Sequence, residues 1–239
     1  MSKRLDLQEE LRSLDESGMR EFLTAHSGLP GPRGNLELLA AFGDVAPTEL
    51  ILRLVGSDDE YLAACAAAAL GRLLVEATGA RREELATLLH SQASDERWRI
   101  REGVAMALQR LGDADAAQLR VVVRRWAYDA DPLVQRAAVA GICEPRLLSD
   151  PETARTALEV CRAATDSLTR RPLQERKRGD VRVLRQGLGY CWSVAIAGDP
   201  ERGLPAFAAL EASTDADANW IVRENRKKAR LSRLLDQAG

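Results

Sequence analysis

Two dense runs of cations are the strongest chemical signal in this sequence. Residues 170–185 hold Arg170, Arg171, Arg176, Lys177, Arg178, Arg182 and Arg185 against Glu175 and Asp180. Residues 223–233 hold Arg223, Arg226, Lys227, Lys228, Arg230 and Arg233 against Glu224. Guanidinium and ammonium groups at that density suit phosphate or carboxylate oxygens. Between the two runs lie Tyr190 and Trp192, in a chain that is only 4% aromatic. Their flat faces can stack on a base, a sugar or a cation, or fill a core. Trp98 and Trp220 each stand three residues before an arginine, Arg101 and Arg223.

Catalytic chemistry finds few residues to work with. There is no P-loop, no Gly-x-Gly-x-x-Gly following a strand, no Gly-x-Ser-x-Gly and no His-Glu-x-x-His. His26 and His90 are the only histidines, far apart and without ligand-like neighbours. Cys65, Cys143, Cys161 and Cys191 are widely spaced and lie in or beside apolar helical stretches, which suits buried small hydrophobes in a reducing compartment. No metal site and no cofactor are expected.

The net charge of −2 conceals a polarity. Residues 1–90 carry 9 Lys/Arg against 15 Asp/Glu, and residues 91–239 carry 25 against 21. A near-neutral whole argues against a general nucleic-acid coat but leaves room for a local basic face. The N-terminus turns acidic at once, with no apolar signal core. The longest uncharged run, Gln186 to Gly198, has 13 residues, too short to span a bilayer. A cytoplasmic protein without a membrane segment is expected.

The elements that must position these residues read as helices. Ala, Leu and Arg are abundant and favour helix, and no strict alternation of β-branched residues appears. Helical spacing predicts helices over residues 5–15, 18–26, 35–43, 47–55, 59–77, 81–91, 96–111, 114–128, 132–143, 151–167, 181–197, 200–211 and 218–236. The Gly- and Pro-rich segment 27–34 breaks the pattern, and so does 169–180.

A repeat runs through these helices. Asp95 to Glu102 and Asp217 to Glu224 both read D-x-x-W-x-[IV]-R-E, 122 positions apart. Asp131-Pro132-Leu133-Val134-Gln135-Arg136 keeps the Asp, an apolar residue and the Arg, and Asp58–Tyr61 leads into another Ala-rich helix. An Asp can cap a first turn, and Pro132 suits a helix start. Gly112 and Gly198 read as stops, with Asp113 and Asp199 capping the next helix in each case. Units of roughly 35–45 residues fit a helical-repeat period.

These motifs resemble HEAT repeats over about residues 45–237. The resemblance implies an all-α, HEAT-like α-solenoid of stacked antiparallel helix pairs, used as a scaffold. Residues 1–34 then read as an N-terminal helical cap and linker, and 35–239 as one continuous repeat array. The second helix of each HEAT pair tends to line the concave side, so Arg101, Arg136 and Arg223 are expected at one register there, forming a ladder. The same Asp and Arg positions also serve as structural ties in such arrays.

A second resemblance concerns the stretch Gly189 to Ala195 with Gly198-Asp199-Pro200. It is similar to the Trp-bearing helix and Asp-Pro exit of HEAT-like-repeat DNA glycosylases of the alkylation-repair family. That family holds duplex DNA on a basic concave surface, with aromatics and a carboxylate at the lesion. Its Arg three residues past the Trp is Ala195 here. The spacing of its catalytic Trp and Asp is met by Trp98 and Glu102, with Glu for Asp.

The sequence thus points first to a non-catalytic interaction scaffold whose basic C-terminal half grips a protein or another anionic partner. The binding candidates are Trp98, Arg101, Arg136, Arg182, Arg185, Tyr190, Trp192, Trp220, Arg223, Arg226, Lys227 and Arg230. The alternatives are a HEAT protein binding DNA through a basic concave face, and a glycosylase acting on alkylated bases through Glu102 and Trp192. Nothing in the sequence fixes an oligomeric state.

Overall fold

The computed structural model describes residues 3–31 and 34–238. Every regular element among them is helical. The helices are α1 (Lys3–Ser13), α2 (Glu16–Ala25), α3 (Leu36–Val45), α4 (Thr48–Leu54), α5 (Glu60–Glu76), α6 (Gly79–Ala93), α7 (Trp98–Ala114), α8 (Ala116–Trp126), α9 (Pro132–Ile142), α10 (Pro151–Arg170), α11 (Gly179–Gly198), α12 (Pro200–Glu211), α13 (Ala216–Arg226) and α14 (Ala229–Ala238). Single 3-10 turns stand at Leu147–Ser149 and Glu175–Lys177. No helix among the described residues is long and apolar enough to cross a membrane.

The chain divides into two compact units, Met1–Leu111 and Gly112–Gly239. Each is a solenoid-type stack of helix pairs, as the sequence periodicity predicts. In the first unit α1 packs on α3 and α3 on α5, while α2, α4 and α6 pack on α5. Leu11, Met19 and Leu23 of the first two helices are buried there. The boundary expected between residues 34 and 35 follows a segment of which Pro32 and Arg33, like Met1, Ser2 and Gly239, lie outside the described residues.

Small residues let α5 and α7 approach closely. A Cβ placed on Gly71 would lie 2.6 Å from the Ala107 carbonyl oxygen, and one on Gly103 would lie 2.6 Å from the Ala64 carbonyl oxygen. Ala63, Ala66, Ala67 and Ala69 fill the same helix without exposure. Tight backbone approach brings many dispersion contacts at little side-chain entropy, the reason an Ala-rich helix can serve as a spine.

In the second unit the helices form two rows. α9 and α13 flank α11, and α8, α10 and α12 pack behind them. The last expected helix, 218–236, is broken into α13 and α14 by a turn at Lys227 and Lys228. The turn has a packing cause: it brings α14 back onto α11, where Leu231 is fully buried. Gly198 ends α11 and Asp199 caps α12, as expected. Gly112 does not end α7. That helix runs on to Ala114, and the residue without a side chain leaves room for Leu119 and Leu147, whose methyl groups would lie 2.6 and 3.0 Å from a Cβ there.

The helix entries share one hydrogen-bond pattern. Ser57, Asp129 and Ser213 each accept the amide of the N-cap residue two positions on, and that residue, Asp59, Asp131 or Asp215, accepts first-turn amides in turn. At α7 the earlier of these positions is held by Asp95, which accepts the Arg97 amide at 2.8 Å. The two octapeptides are therefore not equivalent. Asp95 precedes its helix, whereas Asp217 lies in the first turn of α13. Trp98 is the first residue of α7 and Trp220 the fifth of α13. Arg101, Arg136 and Arg223 fall at the fourth, fifth and eighth residues of their helices, so the common register expected of them is absent.

Replacing Gly71 or Gly103 with Ala should lower stability by about 1–3 kcal/mol, because each new methyl meets backbone rather than a yielding side chain. Gly56→Ala, with open space at its Cβ, should change it little. Urea unfolding of the three variants checks this, and equal midpoints would refute the close-packing account.

Candidate binding face

In the second unit α11 buries Val181, Leu184, Leu188, Cys191, Trp192 and Ala195 and exposes Arg182, Gln186 and Tyr190 at four-residue steps. That spacing sets the three exposed residues on one stripe. Two glycines bring the flanking helices to the edges of the stripe. The Arg136 stem lies 3.3 Å from where a Gly187 Cβ would stand, and the Trp220 ring 2.8 Å from that of Gly189. Arg136, Tyr190 and Trp220 thus share one face, built by α9, α11 and α13.

A buried amide fixes α13 against α11. Asn225 is fully buried; its amide donates to the Leu188 and Ile221 carbonyls at 2.9 and 2.8 Å and accepts the Ser193 amide at 2.8 Å. Sequence reasoning misses Asn225. Its only mark is a polar residue four positions after Ile221, on the apolar stripe of α13.

Much of the first cation run is neutralised locally. Arg176 is bound to Asp215 at 2.5 Å and to Asp217 at 3.3 Å, and donates to the carbonyls of Thr169 and Arg171. Arg185 holds Asp217 at 2.6 Å and stacks on Trp220 at 4.7 Å. Arg178 pairs with Asp180 and Arg170 with Asp166. Burial raises the Asp215 carboxyl, but Arg176 and the first-turn amides outweigh it and hold the group below its ordinary value. Arg185 and Trp220 are therefore ties within the repeat. In the second run Arg226 holds Glu211 and Lys227 holds Glu224, each at 2.6 Å.

Tyr190 has a different setting. It is 43% exposed. Arg230 lies over its ring at 5.1 Å and donates to its hydroxyl at 2.9 Å, and Lys228 lies at 5.5 Å from the ring centre. Among the described residues neither cation makes a direct ion pair, and the exposed Arg182 and Arg223 make no side-chain hydrogen bond or direct ion pair. Lys228 stands within the basic run, but the sequence does not single it out as a binding residue.

Trp192 points the other way. Two residues advance a helix by about 200°, so Tyr190 and Trp192 take opposite sides of α11. Trp192 is 2% exposed, donates from its indole to Thr165 Oγ1 at 3.0 Å and lies 6.4 Å from the Phe207 ring. It lines a pocket of about 380 Å³ with Arg162, Thr165 and Asp166 of α10, Ala206, Ala209 and Leu210 of α12, and Ser213 beyond it. Of the two aromatic binding candidates, Trp192 thus fills the core and only Tyr190 presents a face to solvent. Trp98 is 48% exposed beside Arg99, and Arg101 is 8% exposed, donating to the Asp95 and Glu96 carbonyls at 2.6 and 2.7 Å. Gln135 closes the entry of α9 in the same way, through the Asp129 carbonyl at 2.7 Å. Arg101 is a loop fastener. Glu102 and Trp98 belong to the first unit and Trp192 to the second.

The cysteines are not isolated. Cys143 and Cys161 approach to 3.7 Å in the core, with Cys191 also within reach of Cys143. Hydrogen bonding to Cys161, with burial, holds the Cys143 thiol well above its usual range. Three positions spread over 49 residues meet because α9, α10 and α11 are mutual neighbours.

The family model described as HEAT repeats matches residues 47–143. Over residues 47–143 the chain is thus similar to HEAT repeats. No curated protein matches the chain. Among solved structures, an engineered protein is 16% identical, with 95% of this chain and 100% of that one covered and a TM-score of 0.37. The designed armadillo repeat protein YIII(Dq)4CqI is 16% identical over 92% of this chain and 97% of its own, at a TM-score of 0.37. A further designed armadillo repeat protein, in complex with peptide (KR)4, is 15% identical over 94% and 98%, at 0.35. The HEAT assignment rests on the family match and on the helix pairs of the fold.

The α11–α13 contact yields two expected outcomes. Asn225→Ala orphans the Ser193 amide and the Leu188 carbonyl in a dry interface and should lose about 1–3 kcal/mol in denaturant unfolding; an unchanged midpoint would remove the clamp. For Asp215, a carboxyl held below its unfolded value of about 4 adds stability above that value and loses it as pH falls through the lower, folded one. Arg176→Gln should therefore weaken the protein at neutral pH and flatten its stability profile below about pH 4. A parallel downward shift of the whole profile would contradict the assignment.

Proposed function

We propose that this protein is a non-catalytic HEAT-repeat scaffold that binds an acidic segment of a partner protein on the exposed face of α9, α11 and α13. The observation that supports it most directly is the charge around Tyr190: Lys228 and Arg230 lie against one exposed ring and make no direct ion pair among the described residues. Arg182 and Arg223 add exposed cations on α11 and α13. An exposed aromatic next to positive charge is the composition that binding surfaces favour, the ring giving area and the cations orientation.

A nucleic-acid strand suits this face less well. It needs successive cations free to meet successive phosphates. Here Arg176, Arg178, Arg185, Arg226 and Lys227 already hold carboxylates. The four cysteines are free thiols, which accords with a reducing compartment such as the cytoplasm.

A fluorescent octapeptide of Asp and Glu, followed by anisotropy, tests the reading. It should bind with an affinity that falls as salt rises, and Arg182→Glu with Arg223→Glu should weaken it about tenfold or more. Both side chains are exposed and make no ion pair among the described residues, so the variant should fold normally. Equal binding of a Lys-rich octapeptide, or indifference to the double reversal, would defeat the proposal.

A further inference from the structure

We infer that Tyr190, Lys228 and Arg230 form a receptor for a phosphate monoester carried by the acidic segment of the partner. The inference rests on the proposed reading of the face and gives it a chemical specificity.

The geometry supplies three kinds of donor at one place. Arg230 donates to the Tyr190 hydroxyl oxygen at 2.9 Å. The phenol is the acceptor in that bond, so its own proton is left to donate outward. Arg230 keeps its remaining N–H groups, and Lys228 contributes an ammonium 5.5 Å from the ring centre. Both cations are steadied by the ring face, an attraction that orients them without cancelling their charge.

The surrounding charges leave a net positive island. The nearby carboxylate is Glu224, whose Cβ lies 3.2 Å from where a Gly189 Cβ would stand. That carboxylate is bonded to Lys227 at 2.6 Å, and Lys227, followed by Lys228 and Arg223, holds its carboxyl below the ordinary range. Glu224 is thus shared by Lys227, Lys228 and Arg223, and Arg230 makes no ion pair among the described residues. The excess is compact rather than extended, because the cations of residues 170–185 that lie toward α13 are held by Asp215 and Asp217.

A monoester matches such an island. It carries close to two negative charges and three oxygens, against one charge and two oxygens for a side-chain carboxylate. Three donors of differing direction are used fully by the first and only partly by the second. A phosphodiester strand carries one charge per unit and gains from a track, which this site lacks.

The probes are a fluorescent Asp-Glu-Ser-Glu-Asp peptide and its phosphoserine form, bound to the full chain, with inorganic phosphate and an eight-residue oligothymidylate as competitors. The phosphoserine form should bind about tenfold tighter than the serine form. Tyr190→Phe and Arg230→Gln should each abolish most of that difference, the phosphoserine form losing about tenfold and the serine form markedly less. Glu224→Gln should tighten the phosphopeptide, a gain that no folding defect can mimic. Inorganic phosphate should displace the phosphopeptide more readily than the serine form. Equal affinities of the two peptides would overturn the inference and leave the acidic-segment reading standing, whereas failure of both to bind would remove that reading as well. Displacement by the oligothymidylate at lower phosphate concentration than by the phosphopeptide itself would overturn it in favour of a nucleic-acid track.

Discussion

The candidate binding face takes its shape because α13 lies close enough to α11 for one side chain to hydrogen-bond the backbone of both. Asn225 spans that interface, taking a carbonyl and an amide from α11 and a carbonyl from its own helix. Such a bond is worth little against water but much against the alternative, a dry contact with unmet backbone groups. It acts together with Gly189, which admits the Trp220 ring, so the spacing of the two helices is fixed at both a polar and an apolar point. Trp220 in turn supports Arg185, and Arg185 reaches Asp217 at the entry of α13. The clamp, the ring and the ion pair therefore define where Tyr190 meets Lys228 and Arg230.

The repeat is legible in the sequence because its cause is local. Capping acids, Pro132 at a helix start and apolar residues at helical spacing each act within one turn, and they place nearly all the helices. Phase is harder. Asp95 and Asp217 stand in the same octapeptide, yet one lies two residues before the place of an N-cap and the other two residues after it. Both positions reward an acid, the first by accepting a loop amide and the second by facing a helix N-terminus. A motif that satisfies either site cannot tell them apart, and the tryptophan and arginine assigned by that motif shift with it. The split at Lys227 and Lys228 is also hidden, since it comes from the burial of Leu231 against a distant helix rather than from a Gly or Pro.

The charges show the same division between count and arrangement. By composition the two runs carry the same excess of cations, seven against two acids in residues 170–185 and six against one in 223–233. In the fold Arg176 and Arg185 converge on the acids at the entry of α13, and Arg178 turns onto Asp180. The Arg176 and Arg185 pairs are partly buried, so their desolvation is repaid only while both partners stay in place. They tie the loop down and leave little charge for a ligand. The C-terminal run keeps a larger share of its charge because its nearest acids, Glu211 and Glu224, are taken by Arg226 and Lys227 alone.

Tyr190 and Trp192 carry this reasoning to its end. Both are aromatic residues in one helix of an aromatic-poor chain, and their composition alone makes them equal candidates. A rotation of about 200° separates their tasks. Trp192 meets Thr165 and Phe207 and is lost to the solvent, its indole N–H satisfied and its area committed to holding α10, α11 and α12 together. Tyr190 stays exposed, and two cations take up its ring. An exposed ring gains nothing for the core, and cations held against it have no ion pair to stabilise. Charge that no ion pair takes up is what the proposed anion binding would use, which is why the proposed function is placed at Tyr190 and architecture at Trp192.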